Sequence, residues 1–187
     1  MQHILSAIAS GRLKNHLKRG GLIAYPTESS YGLGCLPTHT QALKKLIRLK
    51  RRPQHKGMIV IGDTLDRLRP LLHPLGETDR RLLESQWPAR KTFLLPAADR
   101  IPALLRGRNR RKLAVRVPDH AGARGLCRLL GQPLVSTSCN KAGKRPCRNQ
   151  REARRQFGRH ALIIGGRCGG AKKPSLIIDW ENGRQLR

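Results

Sequence analysis

Apolar residues recur along this chain in short runs with two periods. From Ile4 to Leu17 they fall at helical spacing (Ile4, Leu5, Ile8, Leu13, Leu17) despite Gly11, and Gly20-Gly21 ends the segment. Leu22–Tyr25 then reads as a buried strand closed by Pro26. Helical spacing returns over Thr40–Leu49, with Pro53 beyond its end. The same reading predicts strands at Met58–Ile61, Thr92–Leu95, Leu113–Val117, Pro133–Thr137, Leu162–Ile164 and Leu176–Asp179. It predicts helices over Thr64–Leu72, Asp79–Trp87, His120–Leu130 and Asn149–Phe157. Strands and helices alternate, which predicts an α/β sheet with helices packed on it. No repeat, low-complexity tract or long linker divides the chain, so a single domain over 1–187 is expected.

Composition adds one strong signal. Lys and Arg total 39 against 11 acidic residues, a formal charge of +28. So large an excess attracts polyanions: nucleic acid, nucleotide phosphates or an acidic membrane surface. Aromatics are 3%, too few for base stacking to be a main binding device. The five cysteines form no C-x-x-C pair, which argues against a zinc site or disulfide framework and for reduced thiols. Arg12, Lys14 and Lys18 interrupt the short apolar start, so a signal peptide is not expected. No stretch approaches the ~20 apolar residues that span a bilayer. A cytoplasmic protein that does not engage membranes is the resulting expectation.

Four segments place polar residues where a strand ends. Ala24-Tyr25-Pro26-Thr27-Glu28, followed by Tyr31-Gly32-Leu33-Gly34, is either an ordinary strand-to-loop turn or a ligand turn whose glycines let backbone approach closely. In Lys50-Arg51-Arg52-Pro53, extended backbone before the proline would put Lys50 and Arg52 on one side. An ammonium beside a guanidinium fork suits a carboxylate and a phosphate held together, although a solvated basic loop has the same composition. Ser136, Ser138 and Asn140 would share one face of an extended segment and line phosphate and ribose oxygens, or serve as a helix cap. Arg116 opposes Leu113, Val115 and Val117 on its strand, either toward solvent or as the floor of an anion site. No P-loop occurs anywhere.

Taken in order, these pieces resemble the threonylcarbamoyl-AMP synthase family, the YrdC-like domain. They are Tyr25-Pro26-Thr27-Glu28, Tyr31-Gly32-Leu33-Gly34, Lys50-x-Arg52-Pro53 with Lys56, and Trp87-Pro88. Ala114-Val115-Arg116-Val117-Pro118 follows, and Ser136-Thr137-Ser138-x-Asn140 with Gly143 closes the set. The resemblance implies a twisted, mainly parallel or mixed sheet around a large basic concave cavity. It implies that L-threonine, bicarbonate or CO2 and ATP become threonylcarbamoyl-AMP and pyrophosphate, for tRNA modification. Lys50, Arg52, Ser138 and Asn140 would be catalytic. Thr27, Arg116, Ser136 and Ser175 would contact threonine. Lys50, Lys56, Lys112, Ser138, Asn140, Arg148 (or its neighbour Pro146) and Arg187 would lie toward ATP. Mg²⁺ would be held chiefly by the triphosphate, with no dedicated metal site on the protein. tRNA or other RNA and the downstream threonylcarbamoyl-transfer proteins would be partners.

Departures from the family pattern are local. Ala89-Arg90-Lys91 follows Trp87-Pro88 where Gly-Pro is usual, Cys139 replaces a small residue, and Lys112 stands where a hydroxyl is common. The resemblance is to the short form of the family, so no appended C-terminal domain is expected. A second reading is a non-catalytic factor that binds double-stranded RNA or matures ribosomes, since shape-dependent RNA binding needs cations more than aromatics.

Overall fold

The computed structural model describes residues 7–53 and 55–187, with side chains described from residue 9 onward. Ile4 and Leu5 of the first expected helix lie outside the described residues, as does Gln54 in the basic segment.

Local chemistry accounts for where the helices stop and start. α1 spans Ala7–Lys18 and leads through Gly20, at φ 77°, into β1 (Leu22–Pro26). α2 (Thr40–Lys50) begins where the His39 ring accepts the Ala42 N–H at 3.2 Å, and it buries Ala42, Leu43 and Leu46 on one face. It ends on Arg51, a non-glycine residue at φ 51° whose N–H satisfies the Ile47 and Arg48 carbonyls. The expected extended backbone through residues 50–52 is therefore corrected. Lys50 is the last helical residue, and a left-handed turn separates it from Arg52.

The predicted helix over Thr64–Leu72 is shorter, because Pro70 converts its second half into a 3₁₀ turn (Arg69–Leu71) behind α3 (Leu65–Leu68). α4 spans Glu77–Gln86, and the unforeseen α5 spans Ala103–Arg106. α6 (Ala121–Leu130) runs from a His120 cap to Gly131 at φ 69°. α7 (Gln150–Phe157) is capped by Asn149, with Glu152 reaching back to the Arg148 N–H at 2.7 Å.

The remaining strands are β2 (Tyr31–Gly34), β3 (Ile59–Ile61), β4 (Lys91–Pro96), β5 (Lys112–Arg116), β6 (Leu134–Ser138), β7 (Ala161–Ile163) and β8 (Leu176–Asp179). They form one mixed sheet in the order β7-β1-β2-β6-β3-β5-β4-β8. β6 lies in its middle, antiparallel to both β2 and β3, while β7–β1, β3–β5 and β4–β8 are parallel. β2 was read as a glycine loop, and its geometry gives Gly34 a packing role. A Cβ there would stand 1.8 Å from the Val135 carbonyl of β6, so only glycine lets the strands pair.

At β1 both faces of the sheet are buried, and successive residues of the strand enter different clusters. Leu22 and Ala24 pack with Leu33, Val60, Val115, Leu43 and Leu46. Ile23 and Tyr25 pack with Ile61, Leu134 and the apolar faces of α1 and α6. Across β3, β4, β5, β6 and β8 one face is instead left open, presenting Ile59, Leu94, Ala114, Arg116, Ser136 and Ile177, and the polar groups gather there. Trp87 and Trp180 flank Phe93 with ring centroids 5.4 and 5.1 Å away, and Trp180 Nε1 donates to Asp79 at 2.9 Å. That contact ties the C-terminal segment to α4. Among the described residues no helix is long and apolar enough to cross a membrane.

Candidate active site

A cavity of about 970 Å³ opens on that face of the sheet, lined along the whole of β5 by Lys112, Ala114 and Arg116 and closed at one side by the segment after β1. Among the described residues its walls carry ten cationic side chains, Arg52, Arg116 and Arg187 among them, and one carboxylate side chain, Glu28. Ser136 and Ser138 from β6, Ala114 and Arg116 from β5, and Gly32 from β2 face it, as pleating dictates for strand neighbours. Ser136 stands opposite Ile59 and Ser138 opposite Gly32.

Lys50 closes the site from behind. It is 4% exposed, and its Nζ donates to the Ser138 carbonyl, to the Asn140 carbonyl at 2.7 Å and to Asn140 Oδ1 at 3.2 Å. Ser138 Oγ donates to the same Asn140 Oδ1 at 2.6 Å. All three ammonium protons thus hold the segment that follows β6. Asn140 leaves the extended path immediately, its N–H turning back to the Ser138 carbonyl at 2.9 Å. The expected face shared by Ser136, Ser138 and Asn140 is therefore corrected: the first two line the cavity, and Asn140 is tied to Lys50.

Arg52 donates to the Lys56 carbonyl at 3.2 Å and to the Gly57 carbonyl at 2.6 Å, which fixes its guanidinium on the cavity wall beside Lys56. Thr27 lines the cavity with its hydroxyl donating to the Ser30 carbonyl at 2.7 Å. Ser175 shares a 2.9 Å hydrogen bond with Thr92, and its carbonyl accepts from Arg187 at 3.2 and 3.3 Å. Lys112 also lines the cavity, but its ammonium is engaged by Asp179 at 2.7 Å and Glu181 at 2.6 Å. Arg148 is not brought to this wall. It borders an adjoining cavity of about 300 Å³, to which Ser29 is common.

The cations are close enough to perturb one another. Burial, and then the Arg52 charge, pull the Lys50 ammonium down to about 8. Burial followed by Arg187 lowers Arg52, and burial followed by Arg116 lowers Arg187. Such a chain of mutually repelling cations is relieved by an anion placed among them.

Sequence reasoning quoted Glu28 within a motif and gave it no role. In the structure Arg116 forms a bidentate pair with it, Nη1 to Oε1 at 2.8 Å and Nη2 to Oε2 at 3.0 Å, and the Asp119 N–H adds a bond to Oε1 at 3.0 Å. The two residues are 7% and 4% exposed.

The sequence profile of the Sua5/YciO/YrdC family, described as "Telomere recombination", matches residues 15–187. The chain belongs to this family. It is 61% identical over 184 residues to the threonylcarbamoyl-AMP synthase of Neisseria gonorrhoeae, covering 98% of this chain and 97% of that one. It is 49% identical over 187 residues to the enzyme of that name in Laribacter hongkongensis, with both chains fully covered. Among solved structures, P. abyssi Sua5 complexed with L-threonine superposes with a TM-score of 0.85 at 27% identity. The match covers 96% of this chain and 54% of that one, so this chain spans about half of the archaeal protein. E. coli YciO superposes with a TM-score of 0.79 at 25% identity, covering 95% of this chain and 86% of that one.

Proposed function

We propose that this protein joins L-threonine, bicarbonate and ATP into threonylcarbamoyl-AMP, releasing pyrophosphate. The observation that carries the reading is the convergence on one hollow of Arg52, Arg116, Arg187, Ser136 and Ser138, with Lys50 and Asn140 bonded directly behind it. Near full-length relatives bearing the synthase name support it.

Threonine's amine adds to bicarbonate with loss of water, giving a carbamate. A carbamate oxygen then attacks the α-phosphate of ATP, and the bond to the β-phosphate bridging oxygen breaks to release pyrophosphate. Threonine would occupy the end formed by Thr27, Arg116, Ser136 and Ser175. The triphosphate would lie toward Lys56, Lys112, Ser138 and Arg187, with Arg148 reached only through the adjoining cavity. The carbamate and the triphosphate are both anionic, so fixed donors aimed at the α-phosphate are the largest contribution to rate. Arg52 and the Lys50-braced Ser138–Asn140 turn are assigned that task. Holding carbamate and phosphate in line supplies much of the rest.

The one lining carboxylate is engaged by Arg116. Among the described residues no group of three His, Cys, Asp or Glu is placed to hold a metal. A Mg²⁺ entering with ATP would take its ligands from phosphate oxygens and water. The product would pass to the proteins that transfer the threonylcarbamoyl group to a tRNA adenosine, and the surplus positive charge would suit contact with RNA.

The deciding experiment incubates purified protein with Mg-ATP, bicarbonate and threonine and follows pyrophosphate. Threonine-dependent release is expected, and its absence would end the synthase reading. A non-catalytic RNA factor would instead show steeply salt-dependent RNA binding and no release.

A further inference from the structure

A cavity walled by ten cations must bind a polyphosphate and an amino acid side by side without letting the phosphate take the amino acid's place. Charge alone cannot make that distinction, because the more highly charged anion gains more from every arginine. The structure holds one device of the opposite sign. Among the described residues, Glu28 is the only carboxylate side chain on the cavity wall, and it is paired with Arg116, whose Nε is the one buried side-chain nitrogen or oxygen without a partner.

The hydrogen-bond inventory of the pair defines what is left over. Arg116 spends one Nη1–H and one Nη2–H on Glu28 and keeps Nε–H unpartnered. A carboxylate accepts at roughly four lone-pair positions. On Glu28, Oε1 receives Arg116 and the Asp119 N–H, and Oε2 receives Arg116, which leaves Oε2 with one position open. The pair is thus close to neutral and buried, and it sets a wholly unpartnered Nε–H, with the second N–H of each Nη, beside one spare acceptor. That is the complement of a zwitterion: a carboxylate for Nε–H and an ammonium for Oε2. A polyphosphate finds the donor but meets the Glu28 charge at an arginine whose own charge Glu28 has already offset.

We propose that Glu28 is a specificity-determining residue that reserves the Arg116 end of the cavity for a zwitterionic amino acid and keeps polyphosphate out of it. The inference deepens the synthase reading and rests on it for the identity of the amino acid. The bidentate contact also fixes the guanidinium plane, so the recognition edge is set before the substrate arrives.

Two calorimetric arms test it. The first uses the unaltered protein and compares L-threonine with L-threoninol, which lacks the carboxylate, and with 2,3-dihydroxybutanoate, which lacks the amine. Each analogue is expected to bind at least about tenfold more weakly, one charge-assisted hydrogen bond having been lost. Dihydroxybutanoate binding as tightly as threonine would overturn the proposal. The second arm adds pyrophosphate as a competitor. In the wild type it should change the threonine Kd by less than about twofold, and in Glu28→Gln it should raise that Kd about tenfold, since the repelling charge is gone. Glu28→Gln that remains indifferent to pyrophosphate would refute the assignment, and the first arm stands whether or not that variant folds. Neither arm requires turnover. Zwitterion selectivity without pyrophosphate release from ATP would remove the synthase reading and leave this one in place.

Discussion

Lys50 Nζ and Asn140 lie ninety residues apart in the chain and are joined by two hydrogen bonds, to the Asn140 carbonyl at 2.7 Å and to its Oδ1 at 3.2 Å. A third bond to the Ser138 carbonyl completes the ammonium's donors. The lysine of the basic motif and the amide of the hydroxyl motif are one unit, and its perturbation has consequences of known sign.

Lys50→Ala removes a donor shared by three acceptors and releases the turn that aims Ser138. Pyrophosphate release should fall about a hundredfold or more, the loss seen when a transition-state donor is displaced. Unfolding in urea should show an accompanying loss of about 1–3 kcal/mol. Unchanged activity would separate the turn from the chemistry. Arg52→Ala, whose guanidinium lies on the cavity wall, should lose similar activity and less stability.

The pH dependence of Lys50 has two opposed signs. Its ammonium is pulled from 10.5 down to about 8, first by burial and then by Arg52. Between pH 8 and 10.5 the unfolded chain therefore holds the proton and the folded chain has lost it, so folding stability from this group rises across that window. Activity should move the other way. Above about pH 8 one of three donors is gone and the turn loosens. A falling limb near pH 8 in kcat/KM is expected, and it should shift upward in Lys50→Arg.

Arg116→Met strands the buried Glu28 carboxylate without its partner. Equilibrium unfolding should report a loss of about 3–5 kcal/mol, the cost of breaking a buried pair from one side. Adding Glu28→Gln should restore a large part of that stability while threonine binding stays absent. A single variant as stable as wild type would show that water reaches the pair.

Lys112→Ala tests an expected ATP contact that the structure leaves committed elsewhere. Its pair with Asp179 and Glu181 is partly exposed, so stability should change by less than about 1 kcal/mol. The KM for ATP should rise only a few-fold, because two carboxylates already share its charge. A hundredfold rise in KM would mean that ATP displaces both acids.

The alternation of strands and helices was legible in the chain because helical and strand periods are local properties of ten residues or so, whereas the caps at His39, His120, Gly131 and Asn149 came from the structure. Family membership was legible too, since Lys50, Arg52, Arg116, Ser136 and Ser138 keep their types and order. β2 was missed because Gly32 and Gly34 read as loop residues. Only the close approach of Val135 explains why glycine is the strand residue there. Extended backbone at residues 50–52 was expected from Pro53, but the last turn of α2 prevailed at Lys50 and Arg51 turned left-handed.

The sequence by itself determined which chemical groups exist and which short elements carry them, because both follow from neighbours along the chain. Pairing Glu28 with Arg116 and setting Lys50 behind Asn140 were decided by the tertiary structure. Strand order in an eight-stranded sheet brings together residues about ninety positions apart, and the free energy of burying those charges depends on partners that no local pattern encodes.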